Sequence, residues 1–220
     1  MALEAVIFDL DGTLVDALPG IEFSVAYSFA EAKLAPRKLE LGPLIGPPIR
    51  QIFAQLMPEA NEQQLSKLES AFRTSYDSAG WRKTVPCENA AAALTELKRA
   101  GVQLYVATNK PALPTGQILK ALGILDVFQQ VLCRDSIAPG FVSKAEMLRT
   151  LIEEHKLEPA QSLYVGDTYD DYLAAQEAGI PVALVQYGNQ DLRQRLVRPP
   201  IAVLNSLLEL LDEVKIGETA

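Results

Sequence analysis

Short apolar runs rich in β-branched and aromatic residues recur along the chain, and most are followed by a segment with helical periodicity. A strand, a helix and a further strand in succession are typical of βαβ units, which place their strands in one parallel sheet. The sequence therefore predicts an α/β fold. Its six expected strands lie at residues 5–8, 102–108, 127–133, 162–167, 181–185 and 201–204.

The stretch between the first run and Val85 has a different pattern. Apolar residues recur there at helical spacing, as in IEFSVAYSFAEAKL, IRQIFAQL and LSKLESAFRTSY. We expect an inserted helical subdomain at residues 16–83, carried by a core made of residues 1–15 and 84–220. The expected hinges are Asp16 to Pro19 and Arg82 to Pro86.

Composition excludes several classes of partner. The formal net charge is -8 at pH 7, which opposes binding to nucleic acid or to anionic lipid, so any anionic ligand must be held by local positive groups. No stretch reaches the length of a membrane helix. The two cysteines, Cys87 and Cys133, are far apart and lack metal-ligand spacing. We expect a cytoplasmic protein with no membrane or nucleic-acid partner.

The first candidate motif is IFDLDGT, residues 7–13, in which a buried strand runs into Asp9 and Asp11. Open parallel sheets bind ligands at the carboxyl ends of their strands, where these two carboxylates would lie. Asp-Gly between apolar runs is also a hairpin signal, which is the plain structural alternative. A calcium loop fits less well, because Thr13 replaces a third acidic or amide ligand.

Two further motifs combine a helix start with polar groups. In VATNKP, residues 106–111, Thr108 and Asn109 end a strand, and a following helix with Pro111 in its first turn would have free N–H groups for a phosphate. In SKAEML, Ser143 and Glu146 have capping-box spacing and place Lys144 at the first helical position. A cation there opposes the helix dipole unless an anion faces it. Helix capping and a solvated lysine are the alternatives.

The fourth motif is LYVGDTYDD, residues 163–171. A buried strand again runs into a glycine and a carboxylate, Asp167, and further carboxylates lie in the first turn of the next helix. Simple capping by Thr168 and Asp171 is the alternative, since acidic residues stabilise helix N-termini.

All four motifs lie at the carboxyl ends of parallel strands, so the fold should gather them along one edge of the sheet. Several carboxylates at one point repel one another unless a divalent cation lies among them, and oxygen ligands with open positions suit Mg²⁺. We therefore expect Mg²⁺ as a cofactor.

The series DLDGT, TNK, a lone lysine and GDTYDD, in this order, resembles the haloacid dehalogenase superfamily over essentially the whole chain. The resemblance implies a three-layer, Rossmann-like parallel-sheet core with a small α-helical cap inserted after the first strand. VATNKP and the cap segment LIGPPIR are similar to phosphoglycolate phosphatases and their close relatives.

The resemblance also implies roles for the core residues. Asp9 resembles the nucleophile and Asp11 the general acid, which protonates the leaving oxygen and then activates water. Mg²⁺ is implied to be bound by Asp9, the main-chain carbonyl of Asp11, Asp167 and, directly or through water, Asp171. Residues implied to bind the phosphoryl oxygens are Thr108, Asn109 and Lys144.

Specificity is expected to come from the cap, because a core that binds only the phosphate cannot distinguish one ester from another. Gly46 could let the cap backbone approach the substrate, and Arg50 could pair with a second anionic group such as a carboxylate. The expected partner is a small phosphorylated metabolite, and the chain is expected to be a monomer or a homodimer.

Three other readings stay open. A sugar-phosphate mutase uses the same core but returns the phosphoryl group to a second hydroxyl, and a pyrophosphatase of the same superfamily is a further variant. A phospho-receiver signalling domain also combines strand-end aspartates, a threonine, a lysine and Mg²⁺. The length of the chain and its helical insertion oppose the receiver reading.

Overall fold

The computed structural model describes residues 3–35, 40–187 and 199–215. The main sheet has six parallel strands in the order β5-β4-β1-β6-β7-β8, so the first strand of the chain lies near its centre. Its strands are β1 (Ala5–Phe8), β4 (Gln103–Thr108), β5 (Gln130–Cys133), β6 (Ser162–Gly166), β7 (Val182–Val185) and β8 (Ala202–Leu204). The predicted parallel α/β fold is confirmed, although the third expected strand begins only at Gln130, after a 3-10 turn at Leu125–Val127.

Helices cover both faces of this sheet. They are α4 (Ala90–Arg99), α5 (Ala112–Ala121), α6 (Lys144–His155), α7 (Tyr169–Ala178) and α8 (Leu210–Lys215). Successive strand residues point to opposite faces, so Val6 and Phe8 pack in the cluster that contains α4, while Ala5 and Ile7 pack in the cluster that contains α6 and α7. The core is therefore a three-layer structure in which β1 is completely buried.

Three helices, α1 (Leu18–Ala32), α2 (Ile49–Leu56) and α3 (Glu62–Ser78), lie between Asp16 and Val85 in the chain. They share a separate apolar cluster, in which the rings of Phe29, Phe53 and Phe72 meet edge to face. The two connections to the sheet pair with each other as a short antiparallel ribbon, β2 (Val15–Asp16) and β3 (Val85–Pro86). The insertion thus leaves and rejoins the core at one place.

None of the helices in the described part of the chain is both long enough and apolar enough to span a lipid bilayer.

Candidate active site

Asp9 follows β1 directly and lies at the centre of the site. The Asp9 N–H donates a hydrogen bond to the Val165 carbonyl at 2.8 Å, which continues the ladder between β1 and β6 past the last paired residue. The side chain is buried, and its Oδ1 has no hydrogen-bond partner among the described residues. Lys144 Nζ lies 3.2 Å from this oxygen. A buried carboxylate oxygen without a hydrogen-bond partner calls for an explanation, such as a catalytic role or an ion that binds there.

The end of β4 supplies the next group of side chains. Thr108 is buried, and its Oγ1 accepts a hydrogen bond from the Lys110 N–H at 3.2 Å. Helix α5 begins at Ala112, so Pro111 precedes the helix instead of lying in its first turn as expected. The Ala112 N–H donates to Asp135 Oδ1 at 2.7 Å. A carboxylate from the loop after β5 therefore takes one of the N–H groups that were expected to be free for a phosphate.

Helix α6 brings Lys144 into the site. Ser143 is its N-cap and accepts a hydrogen bond from the Glu146 N–H. Glu146 in turn accepts from the Val142 N–H, so the predicted reciprocal bond to Ser143 is replaced by one to the preceding residue. Lys144, at the first helical position, is buried, and its Nζ lies 2.5 Å from Asp171 Oδ1. Two carboxylates thus compensate a cation that is placed at the unfavourable end of the helix dipole.

Asp171 holds this part of the site together. Its Oδ1 also accepts a hydrogen bond from the Tyr164 hydroxyl at 2.8 Å. Its Oδ2 accepts from the Asp167 and Thr168 N–H groups and from Thr168 Oγ1, which closes a capping box at the start of α7. Both oxygens are therefore engaged, and the helix cap and the lysine contact exist together. The capping role of Asp171 therefore does not exclude this residue from the candidate active site.

Asp167 follows β6 and lies beside the loop after β1. Gly12 in that loop has a φ of +82°, and a Cβ at this position would overlap the Asp167 carboxylate. Thr13 Oγ1 donates to Asp167 Oδ1 at 3.3 Å. The glycine therefore serves both the left-handed turn and the close approach of a carboxylate.

The charges of the buried aspartates are strongly perturbed. Burial raises the pKa of Asp9 to about 7; the nearby Asp171 and Asp11 carboxylates add to this, and Lys144 opposes it. Burial, with Asp171 and Asp9, also raises the pKa of Asp167 well above its usual range. Burial disfavours the ionised form of Asp171, but Lys144, Thr168 and Tyr164 outweigh it and lower the pKa of Asp171. The protein's own groups therefore stabilise the ionised form of Asp171 but do not compensate the ionised forms of Asp9 and Asp167.

This donor set fits a divalent cation. Asp9, Asp167 and Asp171 each offer a carboxylate oxygen, and these oxygens lie within 4.8 Å of one another. Oxygen-only donors suit Mg²⁺, and its charge would stabilise the ionised forms of Asp9 and Asp167. Because the oxygens of Asp171 already accept hydrogen bonds, Asp9 and Asp167 are the better candidates for direct ligands.

A cavity of about 300 Å³ opens beside Asp9, between the sheet edge and the helical insertion. Gly46 and Arg50 from the insertion line it, as do Thr108 and Asn109 from the core. Arg50 is held by Glu62 at 2.5 Å and Glu69 at 3.2 Å. The charged residues that line the cavity are the cations Arg50, Arg73, Lys110, Arg134 and Lys144 and the anions Asp9, Asp11 and Glu69. Cations thus outnumber anions among the lining residues, and three of the five, Arg50, Lys110 and Lys144, are paired with carboxylates.

The structure places all nine candidate residues at this cavity or at the buried carboxylates beside it: Asp9, Asp11, Gly46, Arg50, Thr108, Asn109, Lys144, Asp167 and Asp171. The sequence analysis missed Lys110, whose Nζ lies 2.7 Å from Asp11 Oδ2. Its place inside VATNKP, directly after two candidate residues, was the available signal.

The sequence pattern of the haloacid dehalogenase-like hydrolase family matches residues 6–185. The chain therefore belongs to this family, as its strand order and its strand-end aspartates indicate.

Comparison with similar proteins indicates which kind of hydrolase this chain is. A phosphoglycolate phosphatase of Psychrobacter arcticus is 32% identical, covering 88% of this chain and 89% of its own. One of Rhodospirillum rubrum is also 32% identical, covering 98% and 90%. A haloacid dehalogenase-like hydrolase from Streptococcus pneumoniae matches the fold with a TM-score of 0.85 and 28% identity, covering 96% of this chain and 98% of its own. The protein is accordingly an enzyme, a phosphatase of the haloacid dehalogenase-like hydrolase family.

Proposed function

We propose that this enzyme is an Mg²⁺-dependent phosphatase that hydrolyses a small phosphate monoester of the phosphoglycolate kind through an aspartyl phosphate on Asp9. The observation that carries the proposal is the state of Asp9. Its carboxylate is buried at the cavity, with Oδ1 3.2 Å from Lys144 Nζ and no other hydrogen-bond partner for that oxygen among the described residues. A nucleophile for an anionic group needs this combination of access and positive surroundings.

Asp9 and Asp167 would hold Mg²⁺ directly, with the main-chain carbonyl of Asp11, and Asp171 would support the site from behind. The ion, when bound, supplies positive charge that polarises the phosphoryl group and stabilises its transition state. Lys144, Thr108 and Asn109 would bind the phosphoryl oxygens. Fixed donors of this kind supply most of the stabilisation in phosphoryl transfer.

In the first step an oxygen of the Asp9 carboxylate attacks phosphorus and the ester P–O bond breaks. The leaving oxygen takes the proton of the Asp11 carboxylic acid, so an alcohol departs and Asp11 becomes a carboxylate. In the second step the Asp11 carboxylate removes a proton from water, and the hydroxide attacks phosphorus. The bond to Asp9 breaks, inorganic phosphate leaves, and both aspartates return to their starting states.

The cavity supports a substrate that carries a second negative charge. Arg50 lies in the first turn of α2 on the cavity wall, and its guanidinium pairs with Glu62 and Glu69. We propose that Arg50 binds a carboxylate of the substrate, and that Gly46, with φ +128°, lets the loop before α2 approach the substrate. The similarity to the two phosphoglycolate phosphatases supports this choice.

The division of the chain also belongs to the proposal. Residues 16–83 would form a cap that closes over the cavity and excludes water until the phosphoryl group has moved. The separate apolar cluster of α1–α3 and the β2–β3 ribbon at its base support this division. We further propose that the enzyme works in the cytoplasm, as a monomer or a homodimer.

Phosphate release decides between the candidate reactions. A panel of esters, with 2-phosphoglycolate among them, is assayed with and without Mg²⁺ for the purified enzyme and for Asp9→Asn. Hydrolysis predicts phosphate in proportion to turnover, a requirement for Mg²⁺ and no turnover by the variant. A mutase would interconvert sugar phosphates with almost no phosphate release, a pyrophosphatase would prefer pyrophosphate, and a receiver domain would show no turnover on esters. Turnover by Asp9→Asn at the parent rate would remove Asp9 from the mechanism.

A further inference from the structure

Lys110 is a buried cation that the proposed reaction has not used. Its Nζ lies 2.7 Å from Asp11 Oδ2 and 3.0 Å from Asp11 Oδ1, and only 5% of its side chain is exposed. The two lysines of the site are divided between the aspartates, because Lys144 contacts Asp9 and Asp171. Lys110 is thus the counter-ion of the proposed general acid.

Lys110 also connects Asp11 to the helical insertion. Its Nζ lies 4.6 Å from the centre of the Tyr76 ring, and Tyr76 is a buried residue of α3. A cation over an aromatic face in a desolvated place is an attractive contact. The ion pair with Asp11 and the ring of Tyr76 together compensate the buried charge of Lys110.

Contact with both carboxylate oxygens restricts the side chain of Asp11 more than a single hydrogen bond would. The Asp11 side chain is 19% exposed, so water and other rotamers would be available to it without this contact. A general acid must lie within hydrogen-bond reach of the leaving oxygen, and it gains a negative charge when its proton leaves. Lys110 fixes the side chain and offsets the negative charge of the carboxylate form of Asp11, which remains when the proton has left and acts as the base in the second step.

We infer that Lys110 is a positioning residue that holds Asp11 for proton transfer and stabilises the carboxylate formed when the leaving group is protonated. This inference rests on the proposed function. The two steps of the reaction can be tested separately, because an aryl oxide leaves without a proton from Asp11, whereas an alkyl oxygen needs one to leave. The second step needs Asp11 as a base with every ester.

The test compares Lys110→Met, Lys110→Arg and Lys120→Met on 4-nitrophenyl phosphate and on 2-phosphoglycolate, with Mg²⁺ present. Lys120 is an exposed lysine on α5, the helix that follows Lys110, and serves as the matched control. General acid–base catalysis contributes about 10²- to 10⁴-fold, so Lys110→Met should lose about 100-fold or more in steady-state kcat on 2-phosphoglycolate. KM should change by less than about 3-fold. Lys110→Arg should recover about 10-fold, and Lys120→Met should match the parent.

Rapid-mixing kinetics provide a signature that a merely structural role would not produce. With 4-nitrophenyl phosphate, Lys110→Met should release a burst of about one nitrophenolate per enzyme and then turn over slowly, because only its second step is impaired. Asp11→Asn should give the same burst. The double variant Asp11→Asn, Lys110→Met should be no slower than Asp11→Asn alone, since Lys110 acts through Asp11.

Other results would overturn the inference. A Lys110→Met variant with a raised KM and an unchanged kcat would make Lys110 a substrate contact. Additive losses in the double variant would separate it from Asp11, and equal losses for both substrates without a burst would indicate a general structural role. Lys110→Gln repeats the measurements if Lys110→Met does not fold. A parent enzyme that releases phosphate from neither ester would refute the proposed function itself. As a control, thermal melts with and without Mg²⁺ would show that each variant keeps its metal site.

Discussion

Replacing Asp9 by asparagine should abolish turnover and, without metal, make the protein more stable. Asparagine has nearly the same shape but no charge, and the Asp9 carboxylate is buried beside Asp11 and Asp171. The pKa of Asp9 is about 7 in the folded protein, against 3.8 for an unperturbed aspartate. At about 1.4 kcal/mol per pH unit, ionising Asp9 destabilises the folded state by about 4 kcal/mol. Asp9→Asn removes this penalty.

The gain must depend on pH in a definite direction. Between pH 3.8 and about 7 the folded state keeps the Asp9 proton and the unfolded chain does not, so the stability of the parent falls as pH rises. Below pH 3.8 the carboxyl is protonated in both states and the substitution should have little effect. Above pH 7 the penalty is complete. Asp9→Asn should therefore exceed the parent by about 1 to 2 kcal/mol at pH 5 and by about 4 kcal/mol at pH 8.

Urea unfolding in EDTA at the two pH values measures this difference. Asp170→Asn, an exposed carboxylate in the first turn of α7, is the control and should change stability by less than about 1 kcal/mol. Saturating Mg²⁺ should reverse the order, because the parent keeps a ligand that the variant has weakened. If Asp9→Asn were no more stable than the parent in EDTA at pH 8, the electrostatic reasoning about this site would be wrong.

Two further tests by substitution and one labelling experiment address other parts of the molecule. Gly12→Ala should lose most of the rise in Tm that Mg²⁺ gives, because the new Cβ would displace the Asp167 carboxylate. The control Gly101→Ala has nearly the same φ, +83°, but open space around it, so it should cost only about 1 to 2 kcal/mol of stability and keep the Mg²⁺ response. Equal Mg²⁺ responses of the two variants would contradict this reasoning. Arg50→Gln should raise KM about 10-fold or more for 2-phosphoglycolate but little for ethyl phosphate, as measured by phosphate release, and an equal effect on both esters would exclude a carboxylate contact. Burial raises the pKa of Cys133 to about 11, so its thiol should react with a disulfide reagent at pH 8 far more slowly in the native protein than in urea, and equal rates would refute its burial.

The sheet was predictable because its strands are strong local patterns. Buried parallel strands are nearly continuous apolar runs, and in three of the six runs an acidic or hydroxyl residue marks the carboxyl end. The positions of Asp9, Thr108 and Asp167 follow from this rule. Their proposed roles stay predictions, as do the boundaries of the insertion.

Contacts between distant segments were not predictable in the same way. Asp11 and Lys110 are 99 residues apart, and Tyr76 joins them from a third segment. The bond from the Ala112 N–H to Asp135 also depends on the loop after β5, which no periodicity describes. The strands of the β2–β3 ribbon have only two residues each, too few to produce a pattern. Sequence reasoning locates chemistry at strand ends but not the partners that tertiary packing brings to it.

The central place of β1 in the sheet governs when an active enzyme can first exist during synthesis. Ala5 pairs with Gln103 on one side and with Ser162 on the other, so the N-terminal strand has neither neighbour until much of the chain has left the ribosome. Until then its four apolar residues and the aspartate behind them are exposed to solvent or to other nascent segments. The residues proposed to bind the metal extend to Asp167 and Asp171, beyond β6, so we expect that a fragment from the N-terminus that ends before them binds neither the metal nor the ester.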